Sequence, residues 1–392
     1  PHFAVPEPRI GFLQEALRWW DQWLKGEDTG VSQDPAYTVH LMDGVRPHSW
    51  YDRRDGHWIT EDEWPAKLLH QRWYLQASGQ LADFPSDLTT KLTSTQNCGG
   101  AAGEYCAIWL GPEMPNDQRL DDALSACFTS KSLESQFDII GSPTLKLQIS
   151  SDQPIAQIAV RLNHVHPDGA STRMTYGVLN LCHRDCHTVA KPLIPGQKYE
   201  VSLALDQMAY RIPAGHHVRV AISPTYWPLL WPSPVPVELT LYSGEIDIPI
   251  RPSGNQDERT FPTPEADQPW QIETLRPPQN ERRQVVDMTS GIVTLEIVDD
   301  FGSSRDLDHG LVHGSVARKW WSIHPDDPLS ANGQTHWTYE NSRDDWSVRT
   351  ETYSTMTSDS KYFHLTARLE AYENDNLVFE KEISESVKRD HR

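Results

Sequence analysis

Basic residues are scarce in this chain: 35 Lys and Arg face 55 Asp and Glu, a formal charge of −20 over 392 residues. A field of that sign repels phosphate backbones and anionic lipid heads, so neither nucleic acid nor a membrane surface is an expected partner. Long apolar runs are missing as well. No stretch approaches the ~18–20 apolar residues of a bilayer-spanning helix, because Pro, Asp or Arg interrupts each apolar window. Cysteine is sparse and odd in number, at five, unlike the dense even set of a secreted, disulfide-stapled scaffold. A reducing, cytoplasmic location is the expectation. The chain opens at Pro1 with no basic-then-apolar leader, which reads as a fragment or a processed product. G-x-S-x-G, Walker, H-E-x-x-H and G-x-G-x-x-G motifs are all absent, so these residues do not encode those chemistries, and no cofactor is assigned.

What is present is a folded protein. At roughly 100–200 residues per domain the length gives two or three domains, and 15 Trp, 13 Tyr and 9 Phe exclude a disordered acidic tail. Leu13, Ala16, Leu17, Trp20 and Trp23 recur at three- and four-residue steps between Pro6 and Lys25, which predicts an amphipathic helix ended by Gly26. Gly30 to Pro35 follows as a turn-rich link, so the partner of that apolar stripe is expected upstream. From Tyr37, short β-rich runs alternate with turn residues. Strands are predicted at Tyr37–Met42, Arg72–Leu75, Ser125–Thr129, Thr144–Ser150, Ala156–His164, Thr175–Cys182, Lys198–Leu205, His217–Ile222 and Val237–Tyr242. Alternation around Val160 and Leu162 argues for antiparallel sheets with one solvated face. His166-Pro167-Asp168-Gly169 supplies a hairpin turn, and the strand count favours a jelly roll. Residues 251–283, rich in Pro, Asp, Glu, Gln and Asn, read as a linker to a β-rich unit over 284–392, with strands at Trp346–Met356 and Tyr362–Tyr372. The fold class is mainly β.

Several residue groups could carry chemistry, each with a plainer reading. Cys182-His183-Arg184-Asp185-Cys186-His187 has the ligand types zinc prefers. Its cysteines are separated by three residues, no second pair follows, and adjacent strand side chains point to opposite faces, so a strand end with incidental thiols is favoured and no metal site is assigned. An unrecognised metalloenzyme stands as a third functional reading. Cys98-Gly99-Gly100, followed by Gly103, is either an ordinary sandwich loop or one whose backbone approaches a ligand closely. Trp50, Trp58, Trp64 and Trp73, with Trp227 and Trp231, are either packing residues or sugar-stacking faces. A free-standing carbohydrate-binding jelly roll is therefore the alternative function. His309, His313, Asp326 and Asp327 read as solvated loop residues. His2 is either a surface histidine or a general base brought to a serine of another domain.

Three stretches, taken in order, resemble the cocaine-esterase/X-prolyl dipeptidyl-peptidase (CocE/NonD) family of serine hydrolases. The first runs from Ile10 to Gly26. The second joins Trp64-Pro65, Arg72-Trp73-Tyr74-Leu75, Cys98-Gly99-Gly100 and Asp117-Gln118-Arg119. The third joins Phe137-Asp138-Ile139-Ile140-Gly141-Ser142-Pro143, His166-Pro167-Asp168-Gly169, Pro195-Gly196 and Ile212-Pro213-Ala214-Gly215-His216. The resemblance implies that residues 1–30 hold the last helix of an α/β-hydrolase domain, 31–250 the family's jelly roll, and 284–392 the extra domain of longer members. It implies acyl transfer to a serine from a small ester or amide substrate, with the nucleophile in an α/β-hydrolase domain in the same or a separate chain. On this reading the chain alone is noncatalytic and inactive. Pro1-His2 looks like the family's second histidine pair, with His2 itself the base if the register shifts. Cys98, Gly99, Gly100 and Ala101 are expected to contact substrate. The sequence leaves open esterase against peptidase, and monomer against homo-oligomer.

Overall fold

Every strand predicted in the jelly roll is present in the computed structural model, which describes residues 5–107, 111–252 and 259–391; ends move by up to four residues, except that the strand expected at Val237–Tyr242 runs on to Ile250. Two sheets make the sandwich. In the smaller, Ser171–Asn180, Gln157–Val165, His217–Ser223 and Ala126–Thr129 pair antiparallel in that order. In the larger, Leu239–Ile250 pairs with both Thr144–Ser151 and Leu69–Leu75, and Thr144–Ser151 pairs onward with Tyr199–Ala204. Met208–Ile212 joins Tyr37–Asp43 to this sheet in parallel, and Arg53–Glu61 extends it further. The sequence reading missed Arg53–Glu61, Phe137–Gly141 and Met208–Ile212; the first lies near a sheet edge, where polar side chains serve both faces.

Period-2 geometry sets the core. Leu145, Leu147 and Ile149 face Ile158, Val160 and Leu162, with Val218, Val220 and Ile222 beside them, none more than 3% exposed. Each such side chain contributes about 1.5–3 kcal/mol on burial. The same inward parity continues past Leu162 to His164 and His166, and backward from Val218 to His216, so the end of the core is built from imidazoles.

The C-terminal unit is an antiparallel meander of long strands: Val293–Asp306, Val312–His324, Asp327–Arg343, Trp346–Ser358, Tyr362–Glu373 and Asn376–Lys388. The stretch 251–283 departs from the expected plain linker. Ile272–Arg276 and Gln279–Val286 both lie along Val293–Asp306, pairing with its two halves. Their side chains are almost all exposed, so no apolar alternation announces them; the backbone ladder of the neighbouring strand holds them instead.

The meander packs against the jelly roll through an apolar and a polar contact. Trp227 is buried with Ile323 and Ala331, and Trp231 and Trp321 pack around them. Trp231 donates its indole N–H to Ser358 Oγ at 2.9 Å. On the polar side, Glu104 of the jelly roll accepts from Arg282 at 2.9 Å and Lys319 at 2.7 Å.

Candidate functional site

The predicted helix forms at Phe12–Trp20 (α1), continues as one wider turn over Asp21–Lys25 and stops at Gly26, whose φ of 76° suits a residue without a β-carbon. Only its polar side is held. Arg18 bonds Glu15 at 2.8 Å and pairs with Asp34, which Arg259 also meets at 3.2 Å; Thr29 Oγ1 donates to the Arg18 carbonyl at 2.8 Å. The apolar side has no cover from the described residues. Phe12, Leu13, Leu17, Trp19, Trp20, Trp23 and Leu24 are between 49% and 74% exposed, and no residue of the helix is buried. Seven large apolar side chains crowded on one short rod form the kind of contiguous patch that monomeric surfaces avoid.

The Cys98–Ala101 loop is clamped from behind. The backbone N–H groups of Gly99 and Ala101 donate to the two carboxylate oxygens of Asp121, at 3.0 and 3.1 Å, and Gln118 Nε2 donates to the Ala101 carbonyl at 2.8 Å. Gly99 sits at φ 115°, and a β-carbon there would stand 2.4 Å from the Trp227 carbonyl oxygen, so only glycine fits. Cys98 is fully buried, and burial pushes its thiol pKa up, which makes it an unreactive packing residue. Gly100 is half-buried, with Gln284 of the C-terminal unit against it. Beneath the loop, Asp122 accepts from Arg161 (3.1 Å), Asn163 (3.0 Å), Ser171 (2.8 Å) and Arg219 (3.0 Å). Arg161 is 1% exposed and its guanidinium lies 5.4 Å from the Tyr226 ring centroid. A buried cation with these partners rigidifies the platform on which the loop rests.

The other sequence-selected groups fall apart or turn inward. Cys182 is buried with Sγ against the Pro154 carbonyl, whereas Cys186 is exposed and bonds Thr188, so the two thiols do not converge. His309 pairs with Asp306 and His313 with Asn341. Five of the six tryptophans meet another ring, Trp58 on Phe261, Trp64 on Tyr37, Trp73 on Phe137, and Trp227 with Trp231 in the contact between the two units, while Trp50 donates its indole N–H to Asp52 at 2.8 Å. His2 lies outside the described residues.

One cluster was not singled out from the sequence, although three of its residues stand in quoted motifs or strands. His164, His166 and His216 bring one ring nitrogen each within 4.8 Å of the others, the one such group of His, Cys, Asp or Glu among the described residues. His164 Nε2 lies 2.6 Å from His216 Nδ1, and its Nδ1 shares a 3.0 Å hydrogen bond with Tyr210 from the opposite sheet. His166 Nε2 lies 3.1 Å from the Val45 carbonyl. Burial, with the two neighbouring imidazoles, pushes the His164 pKa down to about 3, and burial lowers His166 and His216 as well. The signal that could have found it is H-x-H on an inward-facing parity, with a further histidine at the start of the paired strand.

Residues 29–273 match the family described as the X-Pro dipeptidyl-peptidase C-terminal non-catalytic domain. The chain belongs to that family. Over 246 residues it is 24% identical to a putative serine esterase of Mycobacterium tuberculosis (strain CDC 1551 / Oshkosh), covering 57% of this chain and 37% of that protein. Over 239 residues it is 23% identical to the cocaine esterase of Rhodococcus sp. (strain MB1 Bresler), covering 55% and 39%. The X-Pro dipeptidyl-peptidase C-terminal-type chain thus spans less than half the length of these curated relatives. Among solved structures it is similar to an α-amino acid ester hydrolase, with a TM-score of 0.45 at 19% identity, covering 50% of this chain and 39% of that one. It is also similar to a CocE/NonD family hydrolase of Staphylococcus aureus, with a TM-score of 0.47 at 12% identity, covering 61% and 46%. The family match takes in the sandwich strands from Tyr37 to Ile250, while α1 and the meander lie outside it.

Proposed function

We propose that this chain is the noncatalytic C-terminal part of a serine hydrolase acting on ester or amide bonds, and that the apolar side of α1 packs on an α/β-hydrolase domain that supplies the nucleophile. The carrying observation is the bare face of Phe12, Leu13, Leu17, Trp19, Trp20, Trp23 and Leu24 on a helix whose polar side is already tied down. Family membership gives the partner its chemistry, since the matched domain is by description the noncatalytic companion of a peptidase. In this reading the clamped Cys98–Ala101 loop is a rigid wall of the acyl pocket, with half-buried Gly100 its substrate-side residue.

The test is aryl-ester hydrolysis by the purified chain, alone and co-expressed with an α/β-hydrolase domain from the same source. The chain alone should show no turnover, and the pair should be active and sensitive to a serine-directed phosphonate. Leu17→Asp/Trp20→Asp should abolish co-purification while leaving the chain's own melting temperature unchanged, because both side chains are exposed. Phosphonate-sensitive turnover by the chain alone, or undiminished pairing of the double variant, would overturn the proposal.

A further inference from the structure

We propose that His164, His166 and His216 form a binding site for one divalent transition-metal ion of zinc's class. Three observations carry it. The first is convergence: one nitrogen from each ring lies within 4.8 Å of the others, at the polar end of the sandwich core. Two nitrogens held about 2.0–2.1 Å from a tetrahedral zinc stand roughly 3.3 Å apart, between the 2.6 Å of the His164–His216 contact and that outer bound. His216 is only partly buried, so its ring can make the small adjustment and a fourth position opens toward solvent. The second is the outer shell. His166 Nε2 faces the Val45 carbonyl and His164 Nδ1 faces the Tyr210 hydroxyl, the oxygen partners that fix the unused nitrogen of a metal-bound imidazole and aim the other inward. Tyr210 is itself fixed by the Val45 N–H at 3.2 Å.

The third is space made for the rings. Gly44 passes so close to His164 that a β-carbon there would lie 2.9 Å from its Cε1. Without a metal, His164 and His166 stack with ring centroids 4.2 Å apart, His216 meets them at 4.8 and 5.1 Å, and the three have no charge partner among them; an ion would turn the His166 ring out of that stack. Three neutral nitrogen donors suit zinc, cobalt, nickel or copper, whereas magnesium and calcium require oxygen ligands. The bound ion would tie the Gln157–Val165 strand to the turn before His217–Ser223, closing the end of the sandwich. This inference does not rest on the docking of α1.

The experiment uses the untagged full chain, stripped with a chelator and titrated with Co2+ followed by visible absorption, then with Zn2+ in competition. One equivalent should bind with the intense bands of a low-coordinate site. His216→Ala, at a partly exposed position, should keep the fold by circular dichroism and weaken binding beyond the ~10–100-fold that loss of an outer-shell partner costs. Val45 contributes backbone only, so Tyr210→Phe is the outer-shell variant and should weaken binding by a smaller factor. His183→Ala/His187→Ala removes a stacked histidine pair elsewhere in the chain and should change nothing. No stoichiometric cobalt binding by the wild-type chain, equal binding by His216→Ala, or loss of binding in the His183/His187 variant would each overturn the proposal.

Discussion

Asp122 ends a four-residue helix, Arg119–Asp122, and holds four side-chain donors from three strands. Its removal would take from the almost wholly buried Arg161 the nearer of two carboxylates, leaving Asp121 at 3.6 Å, and breaking a buried ion pair typically costs about 3–5 kcal/mol. Asp122→Ala should therefore lower unfolding free energy by that order in urea denaturation, and a loss below about 1 kcal/mol would contradict the assignment. Residues of this kind were poorly legible in the sequence. The motif Asp117-Gln118-Arg119 drew attention, but the carboxylates that bear the load lie just beyond it, because burial and partner choice are decided by strands 40 to 100 positions away. The histidine cluster was hidden for the same reason: His166 and His216 stood in turn motifs, and only the antiparallel register brings them onto one face with His164. Cys98 and Gly99 were legible as a special loop, and the structure supplies the cause in Asp121 and in the close passage of Trp227.

At the scale of elements, α1 was the clearest signal, since its stripe of Leu and Trp at helical spacing needs no tertiary information. The jelly-roll strands were nearly as clear, although Gln157–Val165, expected to have one solvated face, is buried on both because Asp122 pairs with Arg161 and Asn163 on its outer side. The two strands Ile272–Arg276 and Gln279–Val286 were invisible, their residues being mostly polar and almost all exposed on both faces. The meander carries a turn whose chemistry can be tested. Between Trp346–Ser358 and Tyr362–Glu373, the Asp359 carboxylate accepts from the backbone N–H of Lys361 (2.6 Å) and Tyr362 (2.8 Å) and bonds His364 at 2.9 Å. The backbone donors hold its pKa down to about 2, with the His364 contact adding to the effect. A carboxylate depressed in the folded state stabilises it fully above the ordinary carboxylate range near 3.9, and the stabilisation is lost as pH falls toward 2. The melting temperature of Asp359→Asn should thus fall less steeply than that of the wild type between pH 5 and pH 2; parallel curves would contradict the turn's role.

For the whole molecule, two contacts of opposite character define the architecture. The tryptophans Trp227, Trp231 and Trp321, with the Glu104–Arg282–Lys319 cluster, close the jelly roll onto the meander. Sequence reading offered Trp227 and Trp231 as sugar platforms or packing, and the structure uses them for packing, since their faces meet each other, Trp321 and Phe363. The second contact is open: a helix that is amphipathic in pattern exposes its apolar side while its polar side binds its own chain. That inversion is the central physical claim, and amide hydrogen exchange over residues 12–25 tests it most directly, measured for the chain alone and with a co-expressed α/β-hydrolase domain. The account predicts fast exchange in the isolated chain and strong protection of this segment in the complex. Unchanged exchange over 12–25 on complex formation, with protection arising elsewhere, would contradict it.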